Sequence, residues 1–304
     1  MTLYRSVLTL VVALFFLSCQ SERKEFHDNG KFRIVTTTGM LADGVRLLVG
    51  EQAEVISLMG TGVDPHLYKA TAHDLSLLQN ADLILYNGLH LEGKMSEIFE
   101  KLKRRKHVLA IADGLPKARL RKTGEKTYDP HIWFDVSLWK QGWLYVAEEL
   151  SKDSTLNIGI EKNRPSFFKG LDSLHSWAME QLQTIPENSR VLITAHDAFG
   201  YFGRAYRIEV LGLQGISTVS DFGLKDISEL VNQIAERKIK AVYIETSVSP
   251  KAIEAVVEGC KAKGHDIHIG GALYSDAMGK EGTPEGTYNG MVRANVIKIV
   301  NGLK

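Results

Sequence analysis

The chain of 304 residues is poor in cysteine, with Cys19 and Cys260 alone, so a disulfide framework cannot replace a hydrophobic core. It also lacks an excess of charge of either sign, because 37 Lys and Arg residues face 36 Asp and Glu residues. This balance does not favour a nucleic-acid partner. Internal repeats and low-complexity stretches are missing as well. These absences indicate a globular protein with an ordinary apolar core.

Long apolar runs are also scarce, and the longest lies near the start, at residues 7–17. It follows one basic residue, Arg5, and ends at Ser18 and Cys19. A bilayer span needs about 20 apolar residues, so the run predicts a signal peptide at residues 1–18 instead of a transmembrane helix. The small residue before Cys19 resembles a bacterial lipobox, which implies cleavage there and acylation of the cysteine sulfur. The alternative is a plain cleaved signal with an incidental cysteine.

Residues 19–31 are mostly polar, as expected of a tether between a lipid anchor and a folded body. From residue 32 onward, short β-branched runs alternate with helical patterns, and this alternation repeats after residue 188. Such a pattern is typical of parallel sheets covered by helices on both faces. We predict an α/β protein with an N-terminal lobe at residues 32–160 and a C-terminal lobe at residues 188–304. The predicted strands are residues 33–37, 54–58, 83–86, 108–111, 190–194, 209–211, 241–244 and 266–268.

A linker at residues 161–187 separates the two predicted lobes. Apolar residues recur there at intervals of three and four, and they predict one helix that begins at Pro165 and ends before Pro186. An ordinary surface helix of the second lobe is the alternative. The position between two βαβ sets favours a rigid strut that connects the lobes.

Four side chains are candidate metal ligands. Two Asp-Pro-His tripeptides end at His66 and His131, and two later segments carry His196 and Asp276. Three imidazoles and one carboxylate are a complete ligand set for a transition metal ion. Each residue alone fits a structural histidine or a turn aspartate better. All four follow predicted strands, however, where open parallel sheets bind ligands, so together they predict a metal site in the cleft between the lobes.

Other functional classes compete with metal binding. A zinc hydrolase would use the same ligands with Glu245 or Asp197 as general base, but catalytic zinc usually keeps three protein ligands and one open position. The sequence also lacks His-Glu-x-x-His, Gly-x-Ser-x-Gly and P-loop motifs. We therefore predict that the protein is not an enzyme. A surface adhesin and a receptor for an iron chelate are the remaining alternatives.

Five segments, in order, resemble the signature segments of the metal-binding solute-binding lipoproteins of bacterial zinc and manganese ABC importers, cluster A-I of the periplasmic binding proteins. The resemblance extends from about residue 32 to the C-terminus. The segments are residues 60–66, 86–92, 129–135, 196–202 and 273–279.

This resemblance implies two α/β lobes joined by one rigid helix, with a divalent metal ion in the cleft between them. The implied ligands are His66, His131, His196 and Asp276. The ion would be cargo, with zinc favoured over manganese and iron(II) as a further candidate. The implied partners are an ABC permease and, through it, a cytoplasmic ATPase. The protein would be an extracytoplasmic monomer, anchored to the membrane by its N-terminal lipid, in the periplasm or at the cell surface.

Details of the sequence refine these expectations. Several manganese and iron members of the family carry glutamate at the third ligand, where this chain has His196. Many zinc members carry a His-rich loop in the first lobe. The corresponding residues of this chain, 114–127, are basic and lack histidine, so we predict a solvated loop.

Asp135 and Asp197 are candidates to orient ligand histidines, or alternatively helix caps or surface charges. Because ligand imidazoles must be neutral, binding should weaken as the pH falls through the imidazole range.

Overall fold

The structure, a computed structural model, describes residues 30–220 and 222–304. The predicted signal peptide at residues 1–18, the predicted acylation of Cys19 and most of the tether lie outside the described residues. Phe32–Lys304 form one unit by their internal contacts. In the described part of the chain, none of the helices combines the length and the apolar character needed to cross a membrane.

The first half of the unit contains one parallel sheet with the strand order β2-β1-β3-β4. Its strands are β1 (Phe32–Thr36), β2 (Ala53–Ser57), β3 (Leu83–Tyr86) and β4 (His107–Ala110). The sheet is buried on both faces, and this explains why its central strands are apolar without alternation. The accompanying helices are α1 (Gly39–Val49), α2 (Ala72–Asn80), α3 (Ser96–Leu102) and α4 (Val136–Leu150).

The second half contains two parallel strand pairs, β5 with β6 and β7 with β8, and β5 is in contact with β7. The strands are β5 (Val191–His196), β6 (Glu209–Gln214), β7 (Ala241–Glu245) and β8 (His268–Leu273). The helices are α6 (Gly200–Tyr206), α7 (Leu224–Arg237), α8 (Lys251–Ala262) and α9 (Tyr288–Leu303). The predicted α/β class with parallel sheets is confirmed.

One predicted strand is wrong in position. The prediction placed the last strand at residues 266–268, whereas β8 begins at His268 and continues to Leu273. The reason is the pair Gly270 and Gly271, which interrupts the β-branched pattern in the sequence. In the structure a Cβ at position 270 would lie 2.7 Å from the ring of Tyr243, so the aromatic ring occupies the space that the glycine leaves.

A single helix, α5 (Ser154–Gln183), connects the halves. The predicted start at Pro165 is wrong, because the Asp153 side chain caps the helix by accepting hydrogen bonds from the N–H groups of Thr155 and Leu156. Pro165 lies inside the helix. The 30 residues are about 45 Å long at the usual rise of an α-helix. The division into lobes at residues 160 and 188 stays a prediction.

The main hydrophobic core extends across both halves. Helix α5 packs against α1 and α4 of the first half and against α9 and α6 of the second. The core accordingly joins Trp143 of the first half, Leu174 of α5, and Tyr201 and Met291 of the second half. A change in the angle between the halves would therefore disturb a shared core.

Candidate metal centre

Four buried side chains converge at one point between the two halves. His66 follows β2, His131 lies between β4 and α4, His196 is the last residue of β5, and Asp276 follows β8. One ligand atom from each residue lies within 4.8 Å of the others, and each residue is at most 3% exposed. The fold thus brings together all four residues that the sequence singled out, at the carboxyl ends of parallel strands. Their role as ligands stays a prediction.

The distances among these side chains fit the size of a coordinated metal ion. His66 Nε2 lies 3.3 Å from His131 Nε2. Asp276 Oδ1 lies 3.4 Å from His131 Nε2, and Asp276 Oδ2 lies 3.3 Å from His196 Nε2. Tetrahedral ligands at 2.0–2.1 Å from a zinc ion are about 3.3 Å apart. His66 is somewhat farther from the carboxylate, with 3.8 Å between its Nε2 and Oδ2 of Asp276.

Several polar atoms of the centre are buried without a hydrogen-bond partner. Among the described residues, this is true of both carboxylate oxygens of Asp276 and of Nε2 of His196. Buried polar atoms that stay unpaired cost free energy, and a buried carboxylate costs the most. A cation bound among these atoms removes that cost, so the donor set fits a metal ion.

A carboxylate lies against the outer nitrogen of two of the three imidazoles. Asp129 Oδ1 is 2.7 Å from Nδ1 of His131 and also accepts a hydrogen bond from the backbone N–H of His131. Glu245 Oε2 is 2.6 Å from Nδ1 of His196, an ion-pair contact outside hydrogen-bond geometry, while Oε1 accepts from the backbone N–H of His196. Such carboxylates fix the tautomer and the orientation of a ligand histidine, with Nε2 directed toward the metal.

The third histidine is held through its turn. Asp64 Oδ1 accepts a hydrogen bond of 2.8 Å from the backbone N–H of His66. The other oxygen of Asp64 accepts a hydrogen bond of 2.6 Å from the hydroxyl of Thr218, which belongs to the second half. The turn that presents His66 is therefore tied to both halves.

The electrostatics differ between the three imidazoles. Burial lowers the pKa of His66 to about 4. Burial also opposes protonation of His131, but Asp129 and Asp276 outweigh it and raise its pKa to about 9. The pKa of His196 is likewise raised against the effect of burial, by Asp276 and Glu245. Burial alone would raise the pKa of Asp276, yet His196 and His131 hold it well below its usual range.

Asp135 and Asp197, the two candidates to orient ligand histidines, have other contacts in the structure. Asp135 caps α4 by accepting from the N–H of Leu138, which was the stated alternative. Asp197 lies 3.8 Å from Arg121 instead. Asp129 and Glu245 were not among the candidates to orient a histidine, although the place of Asp129 in an Asp-x-His turn was a signal. Glu245 was a candidate only as a general base, because its contact with His196 depends on β7 lying beside β5.

Contacts between the halves surround the centre. Trp133 Nε1 donates to the carbonyl of Ser275 at 3.0 Å, and the hydroxyl of Tyr288 donates to the carbonyl of Trp133 at 2.6 Å. On another side, a cavity of about 130 Å³ extends to Asp276 and is lined by residues of both halves. The carboxylate oxygens of Asp276 are themselves buried.

Comparison with known proteins identifies the family. Residues 34–302 match the family described as zinc-uptake complex component A, periplasmic, or ZnuA. The chain is a member of the ZnuA family. This membership confirms the resemblance that the five sequence segments indicated.

Two curated ZnuA-family relatives are similar over nearly their whole length. The manganese-binding lipoprotein MntA of Bacillus subtilis is 48% identical over 280 residues, which is 90% of each chain. The zinc-binding protein TroA of Treponema pallidum is 46% identical over 284 residues, 92% of this chain and 91% of TroA. The solved structure of the periplasmic zinc-binding protein TroA superposes with a TM-score of 0.88 at 47% identity, covering 90% of this chain and 99% of TroA.

Proposed function

We propose that the protein captures one divalent transition metal ion outside the cytoplasm and delivers it to the permease of an ABC importer. The observation that carries this proposal is the buried group of three imidazoles and one carboxylate, whose carboxylate oxygens have no other partner among the described residues. The proposed ligands are His66, His131, His196 and Asp276. Similarity to relatives named for metal binding supports the same function.

Zinc is the favoured cargo and manganese the next. Three imidazole nitrogens suit zinc, and separations near 3.3 Å suit a small tetrahedral ion. The carboxylate of Asp276 presents one oxygen to His131 and the other to His196, so bidentate binding of manganese or iron(II) is also open to it. The two relatives, named for manganese and for zinc, are almost equally similar to this chain.

We further propose a binding role and not hydrolysis. Four protein ligands leave no open position of the kind that catalytic zinc uses. Both residues once considered as general base are engaged elsewhere, since Glu245 contacts His196 and Asp197 lies near Arg121. A bare ion is also preferred to an iron chelate, because the cavity of about 130 Å³ at Asp276 is smaller than the usual pocket for an organic ligand.

The proposed location is the outer face of a membrane, with a lipid on Cys19 as the anchor and a monomer as the working form. Relatives named as lipoproteins support this proposal. Growth with radiolabelled palmitate should label the parent protein, and a Cys19→Ala variant should carry no label. A parent protein without label would contradict anchoring through Cys19.

The function is tested by elemental analysis of a soluble form without residues 1–19, purified from its native compartment without chelators. We expect about one equivalent of zinc, manganese or iron, and little metal in a His66→Ala, His131→Ala double variant. A His107→Ala, His268→Ala double variant is the matched control, because both of these histidines are exposed and lie outside the cluster. It should retain the metal of the parent.

The outcome also decides between functions. A parent protein that is metal-free after purification and fails to bind zinc, manganese or iron(II) on titration would overturn the proposal. Loss of metal uptake in a deletion strain would support transport, whereas loss of host attachment alone would point to an adhesin.

A further inference from the structure

We predicted from the sequence that the basic loop at residues 114–127 is solvated. In the structure, part of this loop is instead paired with the protein interior. The two arginines of this loop, Arg119 and Arg121, form ion pairs with buried carboxylates. The carboxylates of the two ion pairs contact different parts of the structure. Arg119 contacts Asp135, which caps helix α4, while Arg121 contacts Asp129, which orients His131.

Arg121 is bound to Asp129 through both backbone and side chain. Its carbonyl accepts a hydrogen bond of 2.9 Å from the N–H of Asp129. Its Nη1 donates to Oδ2 of Asp129, whose side chain is fully buried. The guanidinium thus occupies one oxygen of this carboxylate and leaves Oδ1 to the backbone N–H and the ring of His131. Removal of the arginine would leave Oδ2, a buried carboxylate oxygen, without its hydrogen-bond donor.

The same arginine contacts the second half of the protein. Its Nη2 lies 3.8 Å from Oδ2 of Asp197, the residue after His196. Its backbone N–H donates to the hydroxyl of Tyr201, which in turn donates to the carbonyl of Asp129. Arg121 therefore lies between the segments that carry two of the proposed ligands, one from each half.

A glycine makes room for the guanidinium. Gly200 is buried at the first position of α6, and a Cβ added there would lie 1.3 Å from Nη1 of Arg121. No side chain fits at position 200 while the arginine stays in place. Because the clash is with the far end of a flexible side chain, an added methyl group would move the arginine and spare the helix.

We infer that Arg121 is a positioning residue for the metal centre. Arg121 holds Asp129 against His131 and connects that proposed ligand to the segment after His196 in the other half. Gly200 leaves the space that the guanidinium occupies. This inference rests on the proposed metal site. Withdrawal of the guanidinium frees Asp129 to rotate away from His131, so bound metal is held less tightly and dissociates faster. The basic loop thereby becomes part of the machinery that retains the ion.

The first test compares Arg121→Ala with Arg119→Ala in the soluble protein, using zinc and cobalt(II) as probes. Loss of an orienting contact around a metal ligand typically costs about 10- to 100-fold in affinity, and we expect a loss of that size for Arg121→Ala. Arg119→Ala removes an ion pair from the same loop without touching a ligand, so its affinity should stay within about twofold of the parent. The visible bands of bound cobalt(II), which report coordination geometry, should change in the first variant alone.

The second test displaces the arginine without replacing it. Gly200→Ala should reproduce the loss of affinity of Arg121→Ala. In the Arg121→Ala background the same glycine substitution should change affinity by less than about twofold, because the residue that it displaces is already gone. Arg121→Lys retains the charge without the planar fork and should give an intermediate loss. If Arg121→Ala fails to fold, Gly200→Ala alone and Arg121→Lys decide the question.

The results separate this inference from the proposed function. If the parent binds metal and Arg121→Ala behaves like Arg119→Ala, the positioning role is overturned and the metal site stands. Additive effects of Gly200→Ala and Arg121→Ala would overturn it too. If the parent binds neither zinc nor cobalt(II), the proposed function fails, and the positioning role fails with it.

Discussion

The ring partners of His131 and His196 are carboxylates, whereas among the described contacts His66 is held through its backbone N–H. A carboxylate that contacts the outer nitrogen of a ligand imidazole raises its basicity and fixes the orientation of its ring. The orientations of these two histidines are therefore more firmly fixed than that of His66. Asp276 completes the centre with two oxygens that face different imidazoles. Affinity should therefore depend on residues that never touch the metal.

Glu245→Gln tests that dependence. Glutamine has nearly the shape of glutamate, but it removes the charge that lies 2.6 Å from Nδ1 of His196. We expect metal affinity to fall by about 10- to 100-fold in a competition titration. Asp74→Asn is the matched control, because Asp74 is a buried carboxylate that caps α2 and touches no ligand. Equal affinities in the two variants would refute the orienting role of Glu245.

Metal affinity should also rise with pH. In the metal-free protein the pKa of His131 is about 9, so its imidazole carries an extra proton at neutral pH, and the pKa of His196 is raised in the same direction. His66, with a pKa of about 4, is already neutral. A metal ion displaces those protons, so affinity should increase by about tenfold per pH unit for each proton released, until the pH exceeds the pKa.

Calorimetry in two buffers of different ionisation enthalpy measures this proton release directly. A binding enthalpy that depends on the buffer, together with dissociation constants that decrease from about pH 6 to about pH 8, is the expected result. Affinity independent of pH over that interval would show that the imidazoles are neutral before the metal arrives.

The four central residues were predictable because each lies in a short local pattern after a strand. Their neighbours were harder to predict, because Glu245 reaches His196 only through the contact between β7 and β5. Arg121 reaches Asp197 only when the two halves are assembled. Side-chain pairs that depend on tertiary contacts leave no periodic signal in one sequence.

At the scale of elements, two glycines of α5 have opposite surroundings. A Cβ at Gly159 would lie 2.2 Å from the backbone oxygen of Val49, where the helix passes the end of α1. A Cβ at Gly170 would meet nothing within 4 Å. Gly159→Ala should therefore destabilise the protein by about 1–3 kcal/mol through overpacking. Gly170→Ala should stabilise it by about 0.5–1 kcal/mol, because alanine is the better helix former.

Chemical denaturation of the metal-free variants measures both effects. The pair is matched, since both substitutions add one methyl group to the same helix. Changes of the same sign in the two variants would contradict the packing of α5 on α1.

The start of α5 shows why element boundaries were less predictable than element types. Residues 154–164 contain Gly159 and several polar residues, which weaken the apolar period, and Pro165 resembled a first helical position. The cap at Asp153 and burial against α1 and α4 allow the helix to begin at Ser154, on the N-terminal side of that proline. Tertiary packing thus outweighed a local proline signal.

At the scale of the whole molecule, the halves are joined by more than one helix. Hydrogen bonds of 3.2 Å or less connect the two halves across the cleft. These contacts are Thr61 with Gly279, Asp64 with Thr218, Trp133 with Ser275, and Tyr201 with Arg121 and Asp129. A wide hinge opening would break all of them and expose the shared core.

Metal binding should therefore move loops and leave the halves nearly fixed. The segments that carry His66 and His131 are loops and can adjust, whereas α5 packs on helices of both halves and resists rotation. We expect metal-free and metal-bound crystal structures to superpose over Phe32–Lys304 within about 1 Å, as in other pre-organised binding proteins. Small-angle X-ray scattering of the two forms in solution should give the same radius of gyration. A hinge closure visible by either method would mean that the contacts across the cleft form only with the ion, and that the strut helix does not restrain the halves.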